Sequence, residues 1–273
     1  RQLLLGFVLL SFLVQSGCSS AAVEQLTIEV TDSPTLTASI PPTEEAEVPT
    51  STPQPIILWM DPSLPDALID QATLPEEINL SQSRDDASLI LEISGANPVS
   101  QWIYALVVPF PTLADGISAE NLKDFWQKGS GGLFEDQPLL MDEDTLDVLE
   151  SLWGEVADGA VRLIDSDEIL DEAWNKRSAW AIIPFEDLQP RWKVLRIDDT
   201  APIQNDFLPA SYALAIPVSL TGEESILGRF NDRYGNGQAA ALIPSGNRDP
   251  GKLTVLAMTG VTAMVRATAH AME

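Results

Sequence analysis

The sequence predicts an α/β fold with two lobes and mostly parallel sheets, and three observations support this prediction. From residue 55 onward, short apolar runs alternate with amphipathic segments, the order of strands and helices in α/β folds. The apolar runs are continuous, as expected of strands covered on both faces. Two of them, Trp102–Phe110 and Ser211–Ser219, share the frame Tyr-Ala-Leu-x-x-Pro, which suits a chain that crosses twice between lobes. Coincidence between two short apolar strands is the alternative explanation.

The elements follow in order from local patterns. A strand is predicted at Ile56–Met60 and a helix within Asp61–Ala72, because Ser63 can cap a helix, Pro65 suits a first turn and Asp66 favours the positive helix end. Further helices are predicted at Ser118–Gln127, Thr145–Val156 and Ser166–Arg177. Further strands are predicted at Ala87–Ser94, Trp102–Phe110, Ala179–Phe185, Trp192–Asp198 and Tyr212–Leu220.

The first eighteen residues have the build of an export signal. Residues 3–14 are an unbroken apolar run after a basic residue, shorter than the roughly 20 residues that span a bilayer. The sequence Gln-Ser-Gly-Cys at 15–18 resembles a bacterial lipoprotein lipobox, with Gln15 where that family prefers Leu. This resemblance implies a signal peptide over residues 1–18, lipidation of Cys18 and an extracytoplasmic, membrane-anchored protein. An ordinary cleaved signal with an incidental Cys18 is the alternative.

Residues 19–54 have the composition of a tether. They are rich in Thr, Ser, Pro and Glu, with six acidic residues and no basic or aromatic one. Such a segment cannot bury enough apolar surface to offset the entropy of ordering it. We therefore expect residues 19–54 to be disordered and to hold the following domain away from the membrane.

Charge and composition exclude several kinds of site. With 41 acidic and 15 basic side chains, the net charge of −26 repels the phosphate backbone, so no nucleic-acid partner is expected. One Cys and one His exclude a disulfide framework and a Cys/His zinc site. The acidic run at 141–150 lacks the ligand spacing of a calcium loop and reads as a helix start. No cofactor, metal or catalytic residue is predicted.

Three stretches carry a family resemblance. They are ILWMDPSLPDAL, WIYALVVPFPT and AWAIIPFEDLQPRWKVLRID. Their order resembles that of extracytoplasmic solute-binding proteins with the type II periplasmic fold, a group that includes phosphate-binding components. The resemblance implies a two-lobed solute-binding-like domain over residues 55–220, with a linker over 221–251, and closure of the lobes over a small-molecule ligand.

Three residues are candidates for contact with that ligand. In open α/β sheets, ligands collect beyond the carboxyl ends of the strands. This places Asp61 and Ser63 after the first predicted strand and Thr112 after the strand Trp102–Phe110. Ser63 can offer its hydroxyl and nearby backbone N–H groups to an anion. The alternative is that Ser63 only caps the helix.

The last predicted segment carries a second resemblance. Lys252–Glu273 resembles the first strand and turn of the CapA capsule-synthesis family, which is linked to poly-γ-glutamate production and related to metallophosphatases. Gly260 and Arg266 keep the family spacing, whereas Val261 stands where the family has Asp. The resemblance implies that residues 252–273 are the truncated start of a CapA-like domain.

Three functional hypotheses follow. The first is an anchored, non-catalytic solute-binding module that precedes a CapA-type domain. The second is a fragment of a CapA-like enzyme whose active site lies beyond residue 273. The third is a structural module without a ligand. A polar cleft between the lobes favours the first hypothesis, and a cleft filled by apolar side chains favours the third.

Overall fold

The computed structural model describes residues 55–129, 137–176, 179–234 and 242–256. The predicted signal peptide, Cys18, the tether and residues 257–273 lie outside the described residues. Within the described ranges, no helix is long and apolar enough to cross a membrane.

Eleven strands and five α-helices make up the described chain. In chain order they are β1 (Ile56–Met60), α1 (Asp66–Gln71), β2 (Ile78–Leu80), β3 (Leu89–Ile93), β4 (Pro98–Pro109), β5 (Gly116–Ile117), α2 (Ala119–Lys128), β6 (Leu139–Met141), α3 (Glu143–Trp153), β7 (Val161–Leu163), α4 (Ile169–Lys176), β8 (Trp180–Pro184), β9 (Trp192–Val194), β10 (Arg196–Ile197), β11 (Ala215–Gly222) and α5 (Glu224–Tyr234).

The sheet confirms the predicted α/β fold. Its strand order is β2-β1-β3-β11-β4-β8-β6-β7, and β9 also pairs with β4. Strand β1 is parallel to β2 and β3, and β6 is parallel to β7 and β8. The antiparallel pairs involve β4 and β11, which stand between these two parallel groups. The predicted largely parallel sheet is thus two parallel groups joined by antiparallel strands.

The long strand β4 divides the domain into two lobes. Its first half pairs with β11, as far as Ile103 opposite Ala215. Its second half pairs with β8, from Tyr104 opposite Pro184. Lobe 1 comprises β1, β2, β3, β11, the first half of β4, α1 and α5. Lobe 2 comprises the second half of β4 and the elements from β5 to β10, so the chain passes between lobes along β4.

Apolar side chains hold the two lobes around β4. Trp102, Tyr104 and Leu106 are fully buried in a hydrophobic cluster that includes residues of both lobes. A second cluster, under α4, takes the opposite side chains of the strand, Ala105 and Val107. The strand is buried on both faces, which explains why its sequence is a continuous apolar run.

Helix starts depart in detail from the sequence prediction. Pro65, not Ser63, is the N-cap of α1, and no side chain caps that helix. Ser118 caps α2 as predicted, accepting a hydrogen bond from the Asn121 N–H. Helix α3 starts before the predicted Thr145, because the Asp142 carboxylate accepts from the Thr145 N–H at 2.9 Å. A cap three residues upstream therefore moves the helix start.

The packed chain extends beyond residue 220. Helix α5 lies within the predicted linker 221–251 and buries Ile226, Phe230 and Tyr234, which share one helix face at i, i+4 and i+8. After it, the Ser245 carbonyl accepts from the Gln101 N–H at 3.0 Å, beside β4. Segment 242–252, called the strap below, therefore returns along β4.

The start of the CapA-like segment does not form the strand that was predicted. Residues 253–256 have no regular secondary structure. Val255 and Leu256 are 75% and 78% exposed, so the described chain offers them no sheet to join. A strand requires a neighbouring strand to pair with, whereas the Leu253 N–H donates locally to the Pro250 carbonyl at 3.4 Å.

Candidate functional site

The two lobes direct the carboxyl ends of their parallel strands toward each other. In lobe 1, β1 ends at Met60 beside the end of β3, and the loop 61–65 follows. In lobe 2, β6, β7 and β8 end beside the point where β4 enters the lobe, since Tyr104 pairs with Pro184. We call this the junction edge of lobe 2. Loops at such edges are where open α/β sheets bind ligands.

The predicted residues Asp61 and Ser63 both lie on the lobe 1 side of this junction. The Asp61 carboxylate accepts from the Ser63 backbone N–H at 2.9 Å and from the Ser63 hydroxyl at 2.6 Å. Both Ser63 donors are therefore committed to Asp61. A shallow groove of about 520 Å³ separates Ser63 from the side of α3, where Asp147, Glu150 and Ser151 line it.

One hydrogen bond joins the lobes across the junction. The Asp66 N–H, at the start of α1, donates to the Asp144 carboxylate of α3 at 3.1 Å. Asp144 is partly buried, and this burial, opposed by that hydrogen bond and reinforced by neighbouring carboxylates, raises its pKa to about 6. A carboxylate of lobe 2 therefore accepts the hydrogen bond of a backbone N–H in lobe 1.

The start of α3 carries negative charge from its own residues. Asp142 caps the helix, and Glu143 and Asp144 occupy its first turn. These carboxylates are favourable at the positive end of the helix dipole. They also fill the position in which a helix start would otherwise attract an external anion.

Two adjoining cavities line the junction edge of lobe 2, and together we call them the acidic basin. The first, about 260 Å³, has an apolar wall that includes Ile183 and Trp192, and its acids are Asp142, Asp167 and Asp187. The second, about 540 Å³, shares Asp142 and Ser166 with it and adds the acids Glu143, Asp144, Asp165 and Glu168. No lysine or arginine is among the described residues that line either cavity.

Buried hydroxyl groups lie next to this charge. Tyr104 and Thr145 are both 0% exposed, and neither hydroxyl has a hydrogen-bond partner within the described chain. Burial, followed by the charges of Asp144, Glu186, Asp142 and Asp187, raises the pKa of Tyr104 well above its usual value. Tyr104 packs in the first hydrophobic cluster, on the face of β4 opposite Ile183 and Trp192, and it lines neither of the two cavities.

The loop after β8 adds two more acids with altered titration. Glu186 and Asp187 remain exposed at the residue level. Partial loss of solvent nonetheless raises the pKa of both carboxyls, and Asp142 raises that of Asp187 further. Loss of solvent thus raises the pKa of Glu186 and Asp187 as it does that of Asp144.

The strap is bonded to β4 beside these acids. The Asn247 side chain accepts from the Ile103 N–H and donates to the Ile103 carbonyl, both at 2.8 Å. It also donates to the Glu186 carboxylate of lobe 2. The amide therefore pairs with β4 as a backbone residue would, at the division between the lobes.

The predicted residue Thr112 lies at the opposite edge of the lobe 2 sheet. Strand β4 is antiparallel to β8, so its end at Pro109 lies away from the junction. Here, at what we call the far edge, the Lys193 ammonium donates to the Thr112 carbonyl at 3.0 Å and to the Asp115 carboxylate at 2.6 Å. The structure brings Asp61 and Ser63 together and places Thr112 in a different region.

The comparisons with known proteins concern the fold. An ABC-type phosphate transport receptor from Vibrio cholerae matches with 13% identity and a TM-score of 0.51, over 68% of this chain and 96% of that one. PstS from Borrelia burgdorferi matches with 9% identity and the same TM-score, over 68% and 94%. The chain has a type II periplasmic-binding-protein-like fold. No protein-family model and no curated protein sequence matches it.

The sequence analysis did not single out several residues that lie near the junction. Asp144, Asp187 and Tyr104 come from three separate segments, which only the sheet brings together. The acidic helix start at 142–144 was visible in the sequence, but its contact with lobe 1 was not. No local spacing of residues in the sequence predicts a group of side chains that come from separate segments.

Proposed function

We propose that this chain is a non-catalytic module that binds a small solute at the junction between its two lobes. The observation that carries the proposal is the meeting of polar groups from both lobes at one place, with the Asp66 N–H of lobe 1 bonded to the Asp144 carboxylate of lobe 2. A fold with two lobes on a shared strand permits closure by a small hinge rotation. Fold likeness to an ABC-type phosphate transport receptor is consistent with small-solute binding.

Phosphate itself is the second candidate, and it depends on that likeness. Against it stand the donors already in use: those of Ser63 bond to Asp61, and the Asp66 N–H bonds to Asp144. The acids of the basin would also repel a phosphate dianion. We therefore propose solute binding as the function and treat phosphate as one member of the panel that tests it.

A thermal-shift panel tests the proposal on the full chain. The panel contains phosphate, amino acids, sugars and organic amines. A ligand present at 100 times its Kd adds about 2.7 kcal/mol to stability, a rise of about 5 to 10 °C in Tm for a domain of this size. Stabilisation by one class supports the proposal, and no stabilisation by any class favours the structural module.

A pair of tryptophan variants locates the binding. Ser63→Trp fills the groove between the lobes and should abolish the shift. Glu224→Trp adds the same bulk at the start of α5, away from that groove, and should leave the shift unchanged. Circular dichroism checks that both variants fold. Equal effects of the two variants would contradict a junction site.

We also propose that Cys18 is the lipid anchor that holds this module outside the cytoplasm. The support is the apolar run 3–14 followed by Gln-Ser-Gly-Cys. Mass spectrometry of protein expressed in a bacterial host should find lipid on Cys18 and none in Cys18→Ser. An unmodified wild-type Cys18 would favour the ordinary cleaved signal.

We further propose that this module precedes a CapA-type domain. The support is the spacing of Gly260 and Arg266. This placement gives the module an accessory role in capsule or poly-γ-glutamate synthesis, and in its enzyme form the active site lies beyond residue 273. The downstream coding sequence tests it. Acidic and His metal motifs there would support it, and an unrelated sequence would exclude it.

A further inference from the structure

A hydrogen bond links the start of α1 in lobe 1 to the start of α3 in lobe 2, from the Asp66 N–H to the Asp144 carboxylate. We propose that this contact makes the two lobes sensitive to pH: uptake of a proton by Asp144 favours the arrangement in which the lobes touch, and release of that proton favours their separation. The inference concerns the movement of the lobes and involves no solute, so it goes beyond the proposed function.

The Asp66 N–H depends on the other lobe for its acceptor. Asp66 is the first residue of α1, and the first N–H groups of a helix have no acceptor within the helix. The N-cap of α1 is Pro65, whose side chain has no atom that accepts a hydrogen bond. The Asp144 carboxylate supplies the acceptor at 3.1 Å. This bond is therefore formed when the lobes touch and is lost when they separate.

Strand β4 provides the place about which the lobes can rotate. It changes its partner from β11 in lobe 1 to β8 in lobe 2 between Ile103 and Tyr104. Rotation of two lobes about a few residues of a shared element is a common conformational change. The lobes also share an apolar cluster, so the carboxylate is not the sole attraction between them. Its protonation therefore shifts the ratio of touching to separated molecules.

The charges that act most strongly on Asp144 are negative. Asp66 lies across the contact on α1, and Asp142 and Asp147 lie on α3 itself. The cavity beside Asp144 is lined by three further acids, namely Glu143, Asp165 and Glu168. Among the described residues that line this cavity, none is basic. Contact between the lobes thus brings like charges together, and a proton on Asp144 relieves their repulsion.

The other titratable groups nearby act in the same direction. The Tyr104 hydroxyl on β4 is neutral, because burial and the charges of the surrounding acids raise its pKa well above the usual value. Glu186 and Asp187 follow β8, and burial raises the pKa of both carboxyls. Every one of these groups gains negative charge or stays neutral as pH rises. None of them compensates the charge of Asp144.

Loss of solvent at the contact gives the sign and size of the effect. Burial raises the pKa of Asp144 from 3.8 to about 6, against the opposing hydrogen bond from Asp66. Separation of the lobes returns water to the carboxylate, so its pKa moves back toward the ordinary value. The touching arrangement therefore binds the proton more tightly and is favoured at low pH. A tenfold change per pKa unit limits the effect to about a hundredfold between pH 4 and 7.

Hydrogen exchange of the Asp66 amide measures the contact directly. NMR on the full chain gives exchange rates from pH 4.5 to 7.5, each divided by the intrinsic rate at that pH. We expect the protection of Asp66 to fall about tenfold or more as pH rises. The Leu68 N–H is the control in the same helix, since it donates to the Pro65 carbonyl at 2.9 Å. Parallel loss of protection at Leu68 would indicate unwinding of α1 and would overturn the inference.

Matched acid variants test the assignment to Asp144. Asp144→Asn keeps an oxygen that can accept from the Asp66 N–H but does not titrate, so the protection of Asp66 should be the same at pH 4.5 and 7.5. Asp115→Asn removes one charge at the far edge and should retain the fall seen in the wild type. A fall of the same size in Asp144→Asn, or its loss in Asp115→Asn, would show that the general charge of the protein controls the exchange.

Electron paramagnetic resonance between two spin labels shows whether the lobes move. The labels are attached at Gln71→Cys on α1 and Gln127→Cys on α2, both exposed, in a Cys18→Ser background because Cys18 is the sole cysteine of the chain. The population with the label distance of pH 4.5 should decrease at pH 7.5, and it should not decrease in Asp144→Asn. Identical distance distributions at both pH values would overturn the inference. No solute is added, so failure here leaves solute binding standing, and failure of the thermal-shift panel leaves this inference standing.

Discussion

The two edges of the lobe 2 sheet carry similar residues in opposite electrostatic conditions. At the far edge, hydrogen bonding and charge from Lys193 lower the pKa of Asp115, and Arg196 adds to this. At the junction edge, burial raises the pKa of Asp144 to about 6. Asp115 at the far edge is paired with a base, whereas Asp144 at the junction edge has no ion pair within the described residues. Sites that sacrifice stability in this way are commonly functional ones.

The comparison predicts that a neutral side-chain amide stabilises the junction edge, whereas an ion pair stabilises the far edge. Asn247→Ala removes the amide that pairs with both the N–H and the carbonyl of Ile103 and donates to Glu186. We expect a loss of about 2 to 3 kcal/mol in the free energy of unfolding, because two buried backbone groups lose their partners. Urea denaturation measures it. Asn121→Ala, on the exposed side of α2, is the control, and an equal loss there would contradict the role of the strap.

Removal of the Asp144 charge should stabilise the folded state at neutral pH. Asp144→Asn keeps the oxygen that accepts from the Asp66 N–H and removes the poorly solvated charge. A carboxyl whose pKa is raised from 3.8 to about 6 destabilises the folded state as pH rises through that window. Above pH 6 the variant should therefore be more stable than the wild type by about 2 kcal/mol. Below pH 4 the difference should vanish.

Free energies of unfolding measured from pH 4 to 8 test the prediction for Asp144→Asn. A variant that is less stable than the wild type at pH 7, or a difference that does not change with pH, would show that Asp144 is not desolvated at the junction. The same series on Asp187→Asn should give the same sign, because the pKa of Asp187 is also raised by burial.

The smallest effect is expected at the far edge, with the opposite sign. Asp115→Asn removes an exposed carboxylate whose pKa is lowered by Lys193. The ionised form is the stabilised one, so the variant should be slightly less stable at neutral pH and should match the wild type below the pKa of Asp115. Thermal melts at low and high salt measure this. A higher Tm of Asp115→Asn at pH 7 would contradict the prediction that charge removal has opposite effects on stability at the two edges.

The sequence predicted the elements that carry their own signals. The five-residue apolar run at β1 and the Ser118 cap of α2 are local features, and the structure has both. The three-residue strands β2, β6 and β7 have no such signal, since they are shorter than a recognisable apolar run. Helix α5 was assigned to a linker because its polar residues conceal the buried stripe of Ile226, Phe230 and Tyr234.

The site was harder to predict from the sequence than the fold. Ser63 was predicted as a contact because it follows a strand, but the sequence does not show that Asp61 takes both of its donors. Thr112 also follows a strand, yet β4 runs antiparallel to β8, so that strand ends at the far edge. The direction of each strand in a mixed sheet depends on distant partners, and so does the position of every loop that follows one.

The strap has a consequence for solubility. Without it, β4 would present Gln101 and Ile103 as an unpaired backbone edge beside the lobe junction. Open edges of this kind recruit strands from other molecules and lead to aggregation. The Ser245 carbonyl and the Asn247 amide close the edge with a segment that is not itself a strand. The strap therefore closes the edge at two points of attachment, the Ser245 carbonyl and the Asn247 amide, without a full ladder of backbone hydrogen bonds.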